Sequence, residues 1–192
     1  MSSTTPNTPN IPTLLTWLRI WLIPVFIAVY YLPPGWLHPG WVNFSATAIF
    51  GLAAATDWLD GYLARALNQT SAFGAFLDPV ADKLMVAAAL ILLVQLGRVD
   101  AVIALIIVGR EIAISALREW MAGIGRGKSV AVSFIGKLKT TAQITAILLL
   151  LYHDRLLGVI DAQLWGTWLI YIAAVLTLWS MSYYLKKAFA QN

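Results

Sequence analysis

Six runs of roughly twenty mostly apolar residues, each bounded by turn or charged residues, restrict what this chain can become. A helix needs about 20 such residues to cross the hydrocarbon of a bilayer. Hydrophobic residues make up 60% of the chain and charged residues only 11%, against about 25% charged in soluble domains. The sequence therefore predicts an all-α polytopic membrane protein with six transmembrane helices. The first is expected from Asn10 to Leu32, with an amphipathic N-terminal start and Pro24 as its bend point. The others are expected near Asn43–Leu63, Phe73–Leu96, Ala101–Met121, Phe134–Tyr152 and Gln163–Tyr184. One domain over residues 10–187 is expected, with a disordered Ser/Thr/Pro-rich segment at 1–9 and a short tail at 188–192.

With no cysteine in the chain, neither a disulfide nor a thiolate metal site is possible. The net charge of +4 fits basic loops facing anionic lipid and speaks against nucleic acid as the partner. Those basic residues also orient the spans. Arg65, Arg126, Lys128, Lys137, Lys139, Lys186 and Lys187 gather at one set of helix ends, whereas the opposite links carry only Arg98 and Arg155. The positive-inside rule then places both termini and the links after the second and fourth helices in the cytoplasm. The first ten residues, MSSTTPNTPN, lack the basic start and cleavage pattern of a signal peptide. Insertion is expected to use the first membrane helix.

Against this apolar background, four of the nine acidic residues fall between Asp57 and Asp82. Asp57, Asp60, Gly61 and Ala64 follow helical i, i+3, i+4, i+7 spacing, and Gly74, Asp78 and Asp82 lie four apart. Two helices joined by Asn68-Gln69-Thr70-Ser71 can thus aim four carboxylates at one point. Four carboxylates repel one another unless cations join them, and hard divalent ions favour such oxygen donors, often together with substrate phosphates. A pair of ions clamping a phosphoryl group is the expectation. Solvated helix ends and an ion or proton pathway compete with it, but four acids at helical spacing among small residues suit neither. Gly61, Ala64 and Gly74 can serve helix packing and the close approach of a ligand together.

The pattern Asp57-x2-Asp60-Gly61-x2-Ala64-Arg65-x8-Gly74-x3-Asp78-x3-Asp82 resembles the signature of the CDP-alcohol phosphotransferases at every fixed position. That resemblance implies metal ligation by Asp57, Asp60, Asp78 and Asp82 with two ions, Mg2+ or Mn2+. It makes Asp82 the general base as well. It assigns Gly61, Ala64, Arg65 and Gly74 to the cytidine diphosphate site, bordered by an N-terminal segment beginning Asn10-Ile-Pro-Thr13. It also implies a homodimer. Stretches such as GREIAISALREWMA and SVAVSFIGKLKTTAQ are similar to the bacterial members that join CDP-diacylglycerol to glycerol 3-phosphate, which implies a site on the cytoplasmic side of the inner membrane.

Other polar residues carry two readings each. Thr13, Thr16 and Arg19 step along one side of the first helix. Threonine hydroxyls can bond to preceding carbonyls and arginine can snorkel to headgroups, but the resemblance favours a role at the nucleotide site. Arg110, inside IALIIVGREIAISAL, must face the bundle interior or a water cavity. It either braces the bundle through a carboxylate or holds an anion. Arg110, Arg118 and Lys137 are the candidates for the acceptor phosphate. His38 and His153 read as surface residues. A membrane prenyltransferase would need more spans, and an ion transporter would place its acids near mid-bilayer.

Overall fold

The computed structural model describes residues 11–67, 72–123, 134–156 and 158–189. The segment 1–10, the Asn68–Ser71 link, and Arg126 and Lys128 in the basic loop lie outside the described residues. Six helices, α1 (Ile11–Tyr30), α2 (Pro39–Leu67), α3 (Ala72–Gln95), α4 (Ala101–Gly123), α5 (Phe134–Tyr152) and α6 (Ala162–Phe189), carry almost all of the described chain. A minimal hairpin of β1 (Arg155–Leu156) and β2 (Ile160–Asp161) precedes α6, with Arg155 opposite Asp161 and Leu156 opposite Ile160.

The helix ends have local causes. His38 caps α2: its Nδ1 accepts the Gly40 N–H at 3.2 Å, and Pro39 follows at the first helical position, where a missing N–H costs nothing. The helix therefore starts four residues ahead of the expected Asn43 and ends four beyond Leu63. Asp100 and Asp161 cap α4 and α6 through the N–H groups of Val102 and Leu164. At the end of α3, Gly97 takes φ +68°, and the Gly97 and Arg98 N–H groups bond back to Val94 and Leu93, a Schellman stop. His153 takes the same left-handed position after α5, φ 62°, with its N–H on Leu149 O. This second histidine is thus a helix stop. The α1 helix runs unbroken through Pro24, and α6 continues through Phe189, past the expected start of the tail.

The helices pack in a closed circuit: α1 against α2 and α3, α3 against α4, α4 against α6, α6 against α5, and α5 back against α2. Phe26, Phe50, Leu90, Leu93, Ile107 and Ile147 are fully buried at its centre. Gly166 lets α6 sit tightly on Leu149 and Leu150 of α5. Arg98 ties one end together, donating to the Leu150 and Leu151 carbonyls and to Asn43 Oδ1 at 2.9–3.0 Å. The outer face stays apolar, with Trp21, Ile91, Leu105, Trp168 and Val175 all more than half exposed. By length and hydropathy one stretch among the described residues, Ala162–Tyr183, qualifies as a membrane span, and Leu14–Tyr30 and Leu138–Tyr152 are shorter apolar helices.

Candidate metal and phosphate site

The α1 helix packs against both α2 and α3, while α2 and α3 touch one another little. The side chains of α1 therefore lie between the two acidic helices. Asp57 of α2 and Asp78 and Asp82 of α3 each bring one carboxylate oxygen to within 4.8 Å of the others. Spacing of four residues puts Asp78 and Asp82 one above the other on α3, and α2 supplies the third acid from across the gap.

Arg19 of α1 occupies the same convergence. Its Nη1 lies 3.1 Å from Asp57 Oδ1 and 3.3 Å from Asp78 Oδ1, and it also contacts Asp82 Oδ1. The residue is 1% exposed, the carboxylates 37–42%, so the guanidinium backs the cluster from inside and the acids open outward. Thr16, one turn earlier, sends its hydroxyl 3.5 Å from Asp78 Oδ1. The snorkelling alternative for Arg19 does not hold: three carboxylates draw the charge inward more strongly than headgroups draw it out.

These acids line a cavity of about 290 Å³ together with Arg110 and Arg118 of α4. Arg110 Nη2 donates to Ser180 Oγ of α6 at 3.0 Å, which fixes the guanidinium near the cavity. Its neighbour Glu111 pairs with Lys139 of α5, Nζ to Oε1 at 2.9 Å. The same oxygen accepts from Gln143 Nε2 at 3.2 Å. Lys139 and Gln143 are each 1% exposed. The cavity is thus lined by acids of α2 and α3 and by arginines of α4, with a buried polar brace between α4 and α5.

The donor set suits hard divalent cations. It offers only oxygen, converging from two helices at a separation one ion can bridge. Arg19 offsets just one of the three described negative charges, so the cluster still favours a divalent ion. Asp60, Gly61, Ala64 and Arg65 continue α2 beyond Asp57, and Gly74 lies one turn before Asp78 on α3. The side chains of Thr13, Asp60, Arg65 and Lys137, and all of Asn10, lie outside the described residues. Of the expected site residues, the structure brings together Asp57, Asp78, Asp82, Arg110 and Arg118. Reasoning from sequence singled out neither Glu111, Lys139 nor Gln143 as a linked group. The available signal was the i, i+4 spacing of Lys139 and Gln143 on one face of α5.

Residues 9–179 match the family model described as CDP-alcohol phosphatidyltransferase. The chain is 52% identical over 181 residues to the CDP-diacylglycerol–glycerol-3-phosphate 3-phosphatidyltransferase of Escherichia coli (strain K12), covering 93% of this chain and 94% of that protein. Proteins of the same description from Shigella flexneri serotype 5b and Shigella sonnei are similar to the same extent.

Proposed function

The chain belongs to the CDP-alcohol phosphatidyltransferase family, and from that premise we propose that it transfers a phosphatidyl group from CDP-diacylglycerol to glycerol 3-phosphate, releasing CMP. The observation that carries this reading is the shared cavity, lined by a carboxylate triad and two arginines. The acids suit cations that neutralise a diphosphate, and the arginines suit the phosphate of an anionic acceptor.

In this mechanism Asp57, Asp60, Asp78 and Asp82 would hold two divalent ions, Mg2+ or Mn2+. Ions held there would supply charge neutralisation for the diphosphate and the leaving CMP. Asn10, Thr13, Gly61, Ala64, Arg65 and Gly74 border the cytidine diphosphate. Arg110, Arg118 and Lys137 bind the acceptor phosphate, Arg through paired N–H donors and Lys as a point charge. Asp82 takes the proton of the attacking hydroxyl as its oxygen bonds to the lipid-side phosphorus, and the bond from that phosphorus to the CMP oxygen breaks. Positioning and charge neutralisation supply most of the acceleration, as in other phosphoryl transfers.

The enzyme is a single six-span domain of the bacterial inner membrane, with both termini and the site on the cytoplasmic side, and it works as a homodimer. Two features support the span count. The outer face is apolar and rich in tryptophan. Helices of 19–29 residues reach or exceed the length a bilayer needs. The purified protein in detergent, given CDP-diacylglycerol and Mg2+, tests the reading: it should release CMP with glycerol 3-phosphate and form phosphatidylglycerophosphate by mass spectrometry. Turnover with a neutral alcohol and none with glycerol 3-phosphate would reject the acceptor assignment.

A further inference from the structure

Among the described residues, Gln143 carries an acceptor with nothing to accept from. The residue is 1% exposed and lines the cavity, yet its buried Oε1 has no hydrogen-bond partner among the described residues. The amide cannot turn to relieve this. Its Nε2 donates to Glu111 Oε1 at 3.2 Å, and a flipped amide would set an oxygen against that carboxylate. Glu111 is itself fixed, because the buried Lys139 donates to the same oxygen at 2.9 Å. The brace between α4 and α5 therefore fixes an unpartnered, buried acceptor within a residue that lines the cavity.

A buried unsatisfied acceptor is costly unless a donor arrives. A phosphate cannot serve, since its oxygens accept, and the arginines on the same cavity already suit it. A hydroxyl can. Resting on the phosphatidyltransferase reading, we infer that Gln143 is a specificity-determining residue that accepts a hydrogen bond from the non-reacting hydroxyl of a polyol phosphate acceptor. The arginines then hold the phosphate, Asp82 faces the reacting hydroxyl, and Gln143 reads the carbon between them. Glu111 and Lys139 act as positioning residues that aim the Gln143 amide.

The test compares glycerol 3-phosphate with 3-hydroxypropyl phosphate, which has the same phosphate and reacting hydroxyl but lacks the middle one. A site built to bond a hydroxyl rejects the analogue without it, because its own polar group is left unpaired. Wild-type kcat/KM should favour glycerol 3-phosphate by about 10- to 100-fold. Gln143→Leu should reduce that preference to within about threefold, mainly by raising KM for glycerol 3-phosphate, since the bond forms in ground and transition states alike. Its KM for CDP-diacylglycerol should not change. Gln143→Met, unbranched and of similar length, serves if the leucine variant does not fold. An unchanged preference in either variant overturns the inference, and so does a wild type that uses the two acceptors equally. A wild type that turns over neither overturns the transferase reading instead, and this inference with it.

Discussion

Replacing Arg19 with Met probes the cluster without touching any proposed metal ligand. The guanidinium lies 3.1 and 3.3 Å from the Asp57 and Asp78 oxygens and also touches Asp82. At an effective dielectric of about 20, unit charges at such separations attract by about 5 kcal/mol per pair. Most of that is offset. Burying the guanidinium costs several kcal/mol, and water reaches carboxylates that are about two-fifths exposed. The expected net loss on Arg19→Met is about 2–3 kcal/mol in EDTA, which corresponds to about 5–10 °C in Tm for a chain of this size. The three acids then repel one another with no cation among them. Magnesium should restore more stability to the variant than it adds to the wild type, because it meets a more negative cluster. Thermal unfolding in detergent, with EDTA and with Mg2+, reads both effects. Equal Tm values in EDTA and equal responses to Mg2+ would refute the view that Arg19 neutralises these carboxylates.

Four further outcomes are expected. Asp82→Asn should lower CMP release by about 1,000-fold or more while the protein keeps its circular dichroism, since a general base alone supplies about 100- to 10,000-fold and a lost metal ligand adds to it; near-normal CMP release would remove Asp82 from its role. Arg118→Ala should raise KM for glycerol 3-phosphate about 10- to 100-fold, from the loss of charge-assisted hydrogen bonds, with little change in KM for CDP-diacylglycerol; equal rises for both substrates would contradict an acceptor role. Lys139→Met leaves the Glu111 carboxylate, 20% exposed, without its buried cation and should cost about 3 kcal/mol in unfolding experiments, a loss that Lys139→Met with Glu111→Leu largely recovers. Gly166→Ala would put a methyl 2.7 Å from Leu150 Cγ and 3.2 Å from Leu149 Cβ, so it should destabilise the α5–α6 contact by about 1–3 kcal/mol; an unchanged Tm would mean that contact is looser.

The legible part of the fold was the part written in hydropathy. Apolar runs gave the helices, and their expected limits fall within a few residues of those observed. The start of α2 was missed because its cap is His38, a residue not usually read as a helix signal, and His153 hid as a stop because glycine usually takes that conformation. Spacing also brought Asp57, Asp78 and Asp82 together correctly, since residues four apart on one helix must share a face. Arg19 was legible only as a polar position. Its destination depends on α1 packing between α2 and α3, which no spacing within α1 encodes. The same limit hid the Glu111–Lys139–Gln143 brace, whose members lie 28 and 32 residues apart in sequence.

The central claim is that Asp57, Asp78 and Asp82 hold divalent cations jointly, and Mn2+ titration followed by electron paramagnetic resonance tests it directly. The wild-type protein should bind two ions. Asp57→Asn and Asp78→Asn, from different helices, should each weaken binding by at least tenfold. Full Mn2+ affinity in both variants would contradict a shared site between α2 and α3.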